Sequence, residues 1–149
     1  MLRGRLALVT GYLCLAYLLG LTPTPAAAKP CTKDILRKVK FLISKAPHLK
    51  SLNCRLYTPT SEDYQNCPGS SLNCSAQEID VLLEEWEPAV QGIRGYKLKP
   101  KLEQIAEALK QSETECRRCE LFNVQEAEMF LQDLQMNLQS MNMVYKFTC

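Results

Sequence analysis

The sequence predicts an all-α fold, a four-helix bundle with up-up-down-down topology and long crossover loops. Apolar residues recur at helical spacing in four segments of the chain. No stretch alternates polar with apolar residues, β-branched ones among them, over enough length to indicate a sheet. The segment TPTSEDYQNCPGSSLN, between the first two predicted helices, is too long for a tight helical hairpin. Long connections favour this topology over a simple up-down bundle.

The first helix is predicted over Thr32–Ala46 and ends before Pro47. Its apolar face consists of Ile35, Val39, Leu42 and Ile43. The second helix is predicted to begin at a capping box, in which Glu78 follows Ser75 by three residues, and to end at Pro88. Its stripe consists of Ile79, Leu82, Leu83 and Trp86.

The third helix is predicted to begin near Pro100, a residue that suits a first turn. Its stripe consists of Leu102, Ile105, Ala106 and Leu109. The fourth helix is predicted over Glu120–Lys146. It has the longest stripe, which consists of Ala127, Leu131, Leu134, Leu138, Met141 and Tyr145.

A second set of apolar residues lies opposite the stripe of the fourth predicted helix, at intervals of seven: Phe122, Met129, Met136 and Met143. Two glutamines, Gln132 and Gln139, flank this set. A core stripe cannot explain these positions. Either a crossover loop covers them, or they are isolated surface residues without a role, or they form an adaptable contact surface.

Residues 1–28 are predicted to form a secretory signal peptide. Arg3 and Arg5 precede the apolar run LALVTGYLCLAYLLGL, and Ala26 and Ala28 provide a small-residue cleavage site. A membrane anchor is the alternative, but the run is short for a bilayer span. Residues 29–149 then form one secreted, extracellular domain that does not insert into a membrane after leader cleavage.

The charges argue against nucleic-acid binding and suit recognition of a protein partner. Without Arg3 and Arg5 the chain has sixteen basic and sixteen acidic residues, so no basic excess indicates nucleic-acid binding. The charges are nevertheless sorted, since KDILRKVKFLISK is mostly basic and EIDVLLEEWE is acidic. Sorted charge suits partner recognition, although a solvated helix surface also explains any single run.

An enzyme is disfavoured. The single histidine, His48, lies in a predicted surface turn with no nucleophile or acid beside it in the sequence. Glu84 and Glu85 are consecutive on a helix and point apart, so they do not share a site. No phosphate loop or dinucleotide motif is present, and we expect no catalytic residue, metal site or cofactor.

Cysteine spacing offers three explanations for the segment CRRC, which contains Cys116 and Cys119: a metal clip, a redox centre or a disulfide staple. A redox centre needs a βαβ pattern that the sequence lacks. A zinc site with Cys67 and Cys74 is disfavoured because six residues separate those two. In a secreted chain, disulfide bridges that tie the two crossovers together are the better interpretation.

Four segments together resemble the interleukin-15 branch of the interleukin-2, -15 and -21 cytokines: LNCRLYTPT, the Cys67/Cys74 pair, CRRCE and FLQDLQMNLQS. The resemblance extends over the bulk of residues 29–149 and is weakest in the first helix. It implies a disulfide-stapled, short-chain four-helix cytokine bundle. It also implies the bridges Cys67–Cys116 and Cys74–Cys119. An interleukin-15-like paralogue stays open, because the leader is shorter than is typical of that family.

Three further cysteines remain once Cys14 leaves with the leader. The first helix begins, and the last ends, at the same pole of such a bundle, so Cys31 and Cys149 could meet and leave Cys54 single. Spacing alone leaves the other pairings of these three cysteines open. The segment NCS makes Asn73 a formal glycosylation site. We expect poor occupancy there, because the middle residue of the motif is a bridge cysteine.

The resemblance implies a monomer that binds a private alpha receptor chain, a beta-type chain and the shared gamma chain, and signals to lymphocytes. Gln139 matches the glutamine that the family presents to the gamma chain, and Gln132, Met136 and Met143 lie around it. Gln104 matches a contact of the beta-type chain. For the alpha chain, the matching positions are Tyr57, Glu78, Val81 and Glu120.

Some of these assignments have competing explanations. The acid that the family places in the first helix has no clean match, because Asp34 is one residue out of register. Glu78 is also the capping-box acid, and Glu120 also suits a helix N-terminus. Alternative functions are another short-chain cytokine, of interleukin-2 or interleukin-21 type, and a secreted helical protein that binds metal or lipid.

Overall fold

The computed structural model describes residues 31–110, 113 and 115–147. These form five α-helices: α1 (Thr32–Lys45), α2 (Ser61–Asn66), α3 (Pro68–Trp86), α4 (Leu98–Leu109) and α5 (Ala127–Tyr145). They also form strands β1 (Arg55–Thr58) and β2 (Asn123–Glu126), and 3₁₀ helices at Ala46–Leu52, Ile93–Tyr96 and Cys119–Leu121. The predicted bundle class is confirmed. The predicted signal peptide and Cys149 lie outside the described residues.

The ends of the helices show their directions. The hydroxyl of Thr32, at the start of α1, donates to the side-chain oxygen of Asn142 and to the backbone oxygen of Phe147, so α1 and α5 are antiparallel. Gly69, at the start of α3, lies against Ala106 and Lys110 at the end of α4. A Cβ atom there would come within 2.9 Å of the Ala106 oxygen, so only glycine fits this close approach.

The opposite pole completes the topology. Ala46, which follows α1, lies with Trp86 at the end of α3 and Ala127 at the start of α5 around one small cavity. Helices α1 and α3 therefore run in the same direction, and α4 and α5 run in the other, which is the up-up-down-down order.

The core is built from the predicted apolar stripes. The buried stripe residues are Ile35, Val39 and Leu42 in α1; Ile79, Leu82, Leu83 and Trp86 in α3; Leu102, Ile105 and Ala106 in α4; and Ala127, Leu131, Leu134, Leu138 and Met141 in α5. Each fully buried Leu or Ile side chain contributes about 1.5–3 kcal/mol of transfer free energy. Truncation of one of them to Ala therefore destabilises such a core by roughly 2–5 kcal/mol.

The expectation of no sheet is wrong for one short ribbon. Strands β1 and β2 pair antiparallel, with Arg55 opposite Glu126 and Thr58 opposite Asn123. Leu56 and Thr58 of β1 point into the core. Each strand has four residues, which is too short for a period-two pattern to be recognised. The ribbon joins the two long crossovers to each other and closes one side of the bundle.

Helix α3 begins earlier than predicted, at Pro68, and the predicted capping box does not exist. Ser75 is buried within the helix, where its hydroxyl is hydrogen-bonded to that of Tyr64. The true capping box is Thr60 with Asp63, at the start of the short helix α2 that the apolar spacing did not reveal. Proline suits the first turn of α3 because its missing N–H would have no helical partner there.

Helix α5 begins at Ala127 and not at Glu120, because residues 119–126 form a 3₁₀ helix and then β2. Two predictions about the faces of this helix are wrong. Phe122 is buried, at 6% exposure, and does not share the outer face of the helix. Tyr145, predicted in the core stripe, is 44% exposed at the last turn, where its ring stacks on Phe147.

Candidate functional site

Two disulfides tie α3 to the segment before β2. They join Cys67 to Cys116 and Cys74 to Cys119, the pairing that the resemblance implies. They close overlapping loops with sequence separations of 49 and 45 residues, and a chain-entropy model gives roughly 4 kcal/mol for whichever of the two forms first. The bridges fix the second crossover against the side of α3.

The remaining cysteines differ from one another. Cys31 is disulfide-bonded, but Cys149 lies outside the described residues, so their pairing stays a prediction. Cys54 is free and buried. Burial, with the nearby carboxylates of Glu85 and Glu78, raises the pKa of the Cys54 thiol to about 12. The thiol therefore stays protonated at neutral pH and is a poor nucleophile.

Glu113 is a structural residue that the sequence analysis missed. Its carboxylate accepts hydrogen bonds from the backbone N–H groups of Gly69 and Ser70 and from the Ser70 hydroxyl. These groups form the first turn of α3, where free N–H groups and the helix dipole favour an anion. No sequence signal could reveal this contact, because the acid is more than forty residues away.

One candidate surface, here called the α3 surface, consists of Tyr57, Glu78, Val81 and Glu120. The Glu78 carboxylate accepts the backbone N–H of Tyr57 at 2.8 Å, which links α3 to β1. Val81 follows one turn later and is 42% exposed. Glu120 is exposed and follows Cys119, whose bridge partner Cys74 precedes Glu78 by one turn. The structure thus brings together four residues from three separate segments.

The α3 surface is acidic. The segment 61–86 contains six Asp or Glu residues and no Lys or Arg. Burial raises the pKa of Glu78, and the N–H of Tyr57 offsets part of that rise. Asp63, at one end, is neutralised because a guanidinium nitrogen of Arg117 lies 2.8 and 2.9 Å from its two oxygens. The other acids of this side stay available to a basic partner.

A second candidate surface is the methionine row, which consists of Met129, Met136 and Met143 on the outer side of α5. These side chains are 51%, 49% and 83% exposed, so the crossover residues that the structure describes do not cover them. Gln132 and Gln139 are also exposed beside the row. The row offers apolar, flexible side chains with glutamine amides along one edge.

Gln139 also lines a groove of about 500 Å³ between α5 and α1, here called the α1–α5 groove. Its other lining residues are Cys31, Lys33, Asp34, Leu36, Arg37, Lys40 and Gln135. One wall thus consists mainly of basic side chains of α1, and the other of amides of α5.

A third candidate surface lies where α1 faces α4. The Asp34 carboxylate forms ion pairs with Arg37 at 2.6 Å, Lys38 at 2.9 Å and Lys101 at 2.5 Å. The hydrogen bond from Lys101 and those from the other two cations hold the pKa of Asp34 well below its usual range. Gln104 is exposed one turn after Lys101. Asp34 and Gln104 therefore lie on one side of the bundle, but the charge of Asp34 is already neutralised.

The described residues show no arrangement suited to catalysis. His48 is exposed in the 3₁₀ helix that follows α1. Within residues 31–110, 113 and 115–147, no three His, Cys, Asp or Glu side chains are grouped to hold a metal ion. None of the helices there is both long and apolar enough to span a bilayer.

The formal glycosylation site, Asn73, lies inside α3, half-buried next to a bridge cysteine.

Comparison with known protein families gives one match. The model of the family described as Interleukin 15 matches residues 11–143, which is most of the chain. Comparisons with curated proteins and with solved structures gave no significant match.

Proposed function

The chain belongs to the interleukin-15 family, and we propose that it acts by holding an alpha chain, a beta-type chain and the shared gamma chain of a cytokine receptor around one rigid bundle. Membership of this family makes the chain a cytokine whose partners are cytokine receptors. It is not a family of enzymes. In the proposed mechanism the geometry alone produces the signal, because the bound chains bring their cytoplasmic domains together.

One observation carries this proposal: the residues that match family contacts are accessible on three different sides of the bundle. Val81 and Glu120 are exposed on the α3 surface, Gln104 on α4, and Gln139 on α5. A single partner of ordinary size buries about 800 Å² and would cover one side. Separate sides can instead be occupied at the same time, as receptor clustering requires.

The alpha chain is assigned to the α3 surface because of its charge and its rigidity. The acids of this side would attract a basic partner over a distance and speed association in a salt-sensitive way. Tyr57 and Glu78 are held by their mutual hydrogen bond. Less ordering of side chains is then needed when the partner binds.

The gamma chain is assigned to the methionine row and Gln139, and the beta-type chain to the side that carries Gln104. Shared receptor chains contact several cytokines, and methionine side chains adapt to different partner shapes. The beta-type chain would contact Gln104 without a free acid of α1, since Asp34 is engaged by three cations.

We further propose that residues 1–28 are removed as a signal peptide and that residues 29–149 are secreted as a monomer. Cytokines of this family are typically secreted, and Arg3, the apolar run and Ala28 follow the layout of a cleaved leader. N-terminal sequencing of the secreted protein tests this directly, because a start at any residue other than Lys29 contradicts the assigned site.

The experiment that tests the receptor assignments measures binding of the secreted protein to immobilised alpha, beta-type and gamma ectodomains, one at a time. Three variants each alter one side: Val81→Lys, Gln104→Lys and Gln139→Asp. We expect each variant to lose about tenfold or more in affinity for its own chain, because an unpaired charge must be buried. Affinity for the other two chains should stay within about twofold.

Ser140→Asp is the matched control for Gln139→Asp. Ser140 is exposed on the same helix but lies about 100° further around it. The control should therefore leave gamma binding unchanged. Intact gamma binding by Gln139→Asp would show that this face is misplaced, and equal losses for all three chains would point to general misfolding instead of three separate sites.

A further inference from the structure

A row of basic residues runs along the outer side of α1. Lys33, Arg37 and Lys40 are exposed and line the α1–α5 groove together. Their spacing of four and three residues puts them within about 60° on the helix. At 1.5 Å per residue the row extends about 10 Å along the axis. The three cations thus form a line and not a compact cluster.

The row has a strong excess of positive charge. Asp34 is the only acid among the described residues that line the groove, and its carboxylate already contacts Arg37, Lys38 and Lys101. The charge of Asp34 is therefore compensated by Lys38 and Lys101 as well as by Arg37. Lys33 and Lys40 have no ion pair among the described residues. An arriving anion would meet unpaired positive charge at both ends of the row, at Lys33 and Lys40.

The opposite wall adds no negative charge. Gln135 and Gln139 line it, and their amides can donate hydrogen bonds. The two acids of α5 lie elsewhere. Glu128 forms an ion pair with Lys50 near one pole of the bundle. Asp133 lies near Tyr64, whose pKa is raised mainly by burial and further by the charge of Asp133. Leu36 is the apolar residue of the groove.

We propose that the α1–α5 groove binds a linear sulfated polysaccharide, such as those at cell surfaces, through Lys33, Arg37 and Lys40. Charge complementarity identifies the occupant: evenly spaced sulfates can follow a straight row of cations, and amides of the facing wall can bond to sugar hydroxyls. The receptor assignments are not needed for this inference. A bound polysaccharide would, however, lie against Gln139 and hinder any partner on that face.

Other polyanions fit the groove less well. Single-stranded nucleic acid is normally held by aromatic side chains that stack on its bases, and none of the described residues that line the groove is aromatic. An acidic helical peptide would need a longer apolar strip than Leu36 alone provides. A shallow groove with a row of cations and amide donors suits a sugar chain best.

The test is salt elution of the purified secreted protein from immobilised heparin. We expect retention at about 0.15 M salt and elution at a clearly higher concentration, because polyanion binding releases counterions. The row variant K33Q/R37Q/K40Q should bind heparin at least about tenfold more weakly. The matched control K50Q/R55Q/R118Q removes the same charge from exposed sites elsewhere and should elute close to the parent protein. K33R/K40R should bind like the parent, since it keeps the charges.

Several results would overturn the inference. These are elution of the parent protein below about 0.15 M salt, equal loss in the row variant and the control, and equal binding to heparin stripped of its sulfates. Equal or tighter binding to a single-stranded oligonucleotide or to anionic lipid vesicles would assign the row to another polyanion. A thermal melt of each variant excludes unfolding as the cause. M136S/M143S, which changes the methionine row outside the groove, should elute with little change, so failure of the gamma assignment and failure of this site can be told apart.

Discussion

The α3 surface and the methionine row differ in how firmly their side chains are held. On the α3 surface, Glu78 is bonded to the backbone of Tyr57, and Glu120 follows a cysteine that is bridged to α3. On the methionine row, Met143 is 83% exposed and no contact restrains its side chain within the described part of the chain. One bundle therefore presents a fixed charged surface on one side and an adaptable apolar surface on the other.

This difference indicates two ways of recognising a partner. Fixed charges favour one complementary partner, because each must be matched in position and sign. Flexible methionine side chains can repack against partners of different shape and provide dispersion contacts with each. A private receptor chain is expected to use the first kind of surface, and a receptor chain shared by several cytokines the second.

The largest expected effect follows from removal of the bridge beside the α3 surface. The double variant C74A/C119A should lose roughly 3 kcal/mol of unfolding free energy. The Cys67–Cys116 bridge stays in place, so the unfolded chain regains the entropy of a loop of only about twelve residues, which runs through that bridge. It should also lose alpha-chain affinity, since Glu120 is no longer held beside Glu78. Urea denaturation and surface binding measure the two quantities.

The other bridge is the matched control. C67A/C116A opens a loop of similar length, so it should lose a similar unfolding free energy while Cys74 and Cys119 still hold Glu120 in place. At a temperature where both variants are folded, only C74A/C119A should bind the alpha chain more weakly. Equal affinities for the two variants would mean that the fixed geometry of the α3 surface is irrelevant to recognition.

The methionine row should behave in the opposite way. M136S/M143S removes side chains that are 49% and 83% exposed, so its unfolding free energy should change by only about 1 kcal/mol, less than when a bridge is removed. Gamma-chain affinity should nevertheless fall about tenfold, as expected when contact residues at the centre of an interface are truncated. Calorimetry and surface binding together test this.

Val144→Ser serves as the control for the methionine row. Val144 is 71% exposed on the same helix, but it lies about 100° around the helix from Met143. Gamma binding should be unaffected by this change. If Val144→Ser weakens gamma binding as much as the methionine changes do, general apolar exposure on α5 is responsible, and the row has no special role.

The helices could be predicted from the sequence because their signal is local and repeated. The stripes of α1, α3, α4 and α5 recur every three or four residues, and almost all of their members are buried. Errors arose where the local signal was ambiguous. Ser75 and Glu78 have capping-box spacing, but both side chains are used by other segments: Ser75 contacts Tyr64, and Glu78 contacts Tyr57.

Long-range contacts could not be predicted from spacing alone. The β1–β2 ribbon joins segments almost seventy residues apart, and its strands are too short to show alternation. Glu113 reaches the start of α3 from the far connection, and nothing near it in the sequence indicates that role. Of the candidate surfaces, the methionine row could be anticipated because it depends on one helix, whereas the grouping of Tyr57 with Glu120 requires the bridge and the ribbon.

The smallest expected effect is a difference in how two carboxylates respond to pH. Ion pairs lower the pKa of Asp34, so below about pH 5 the unfolded chain takes up its proton first, and the stabilising contribution of Asp34 is lost as the pH falls. Burial raises the pKa of Glu78, so the folded chain takes up its proton first, and the destabilising contribution of Glu78 to the fold is lost as the pH falls.

The substitution Asp34→Asn tests the first trend. It should lower the unfolding free energy by about 1 kcal/mol at pH 7, because the ion pairs remain in contact with water, and this loss should shrink towards pH 2. The unfolding free energy of the parent protein relative to that of Glu78→Gln should instead rise as the pH falls from 6 to 4. Parallel trends for Asp34→Asn and Glu78→Gln in urea denaturation would mean that the two sides of the bundle do not differ in their electrostatics.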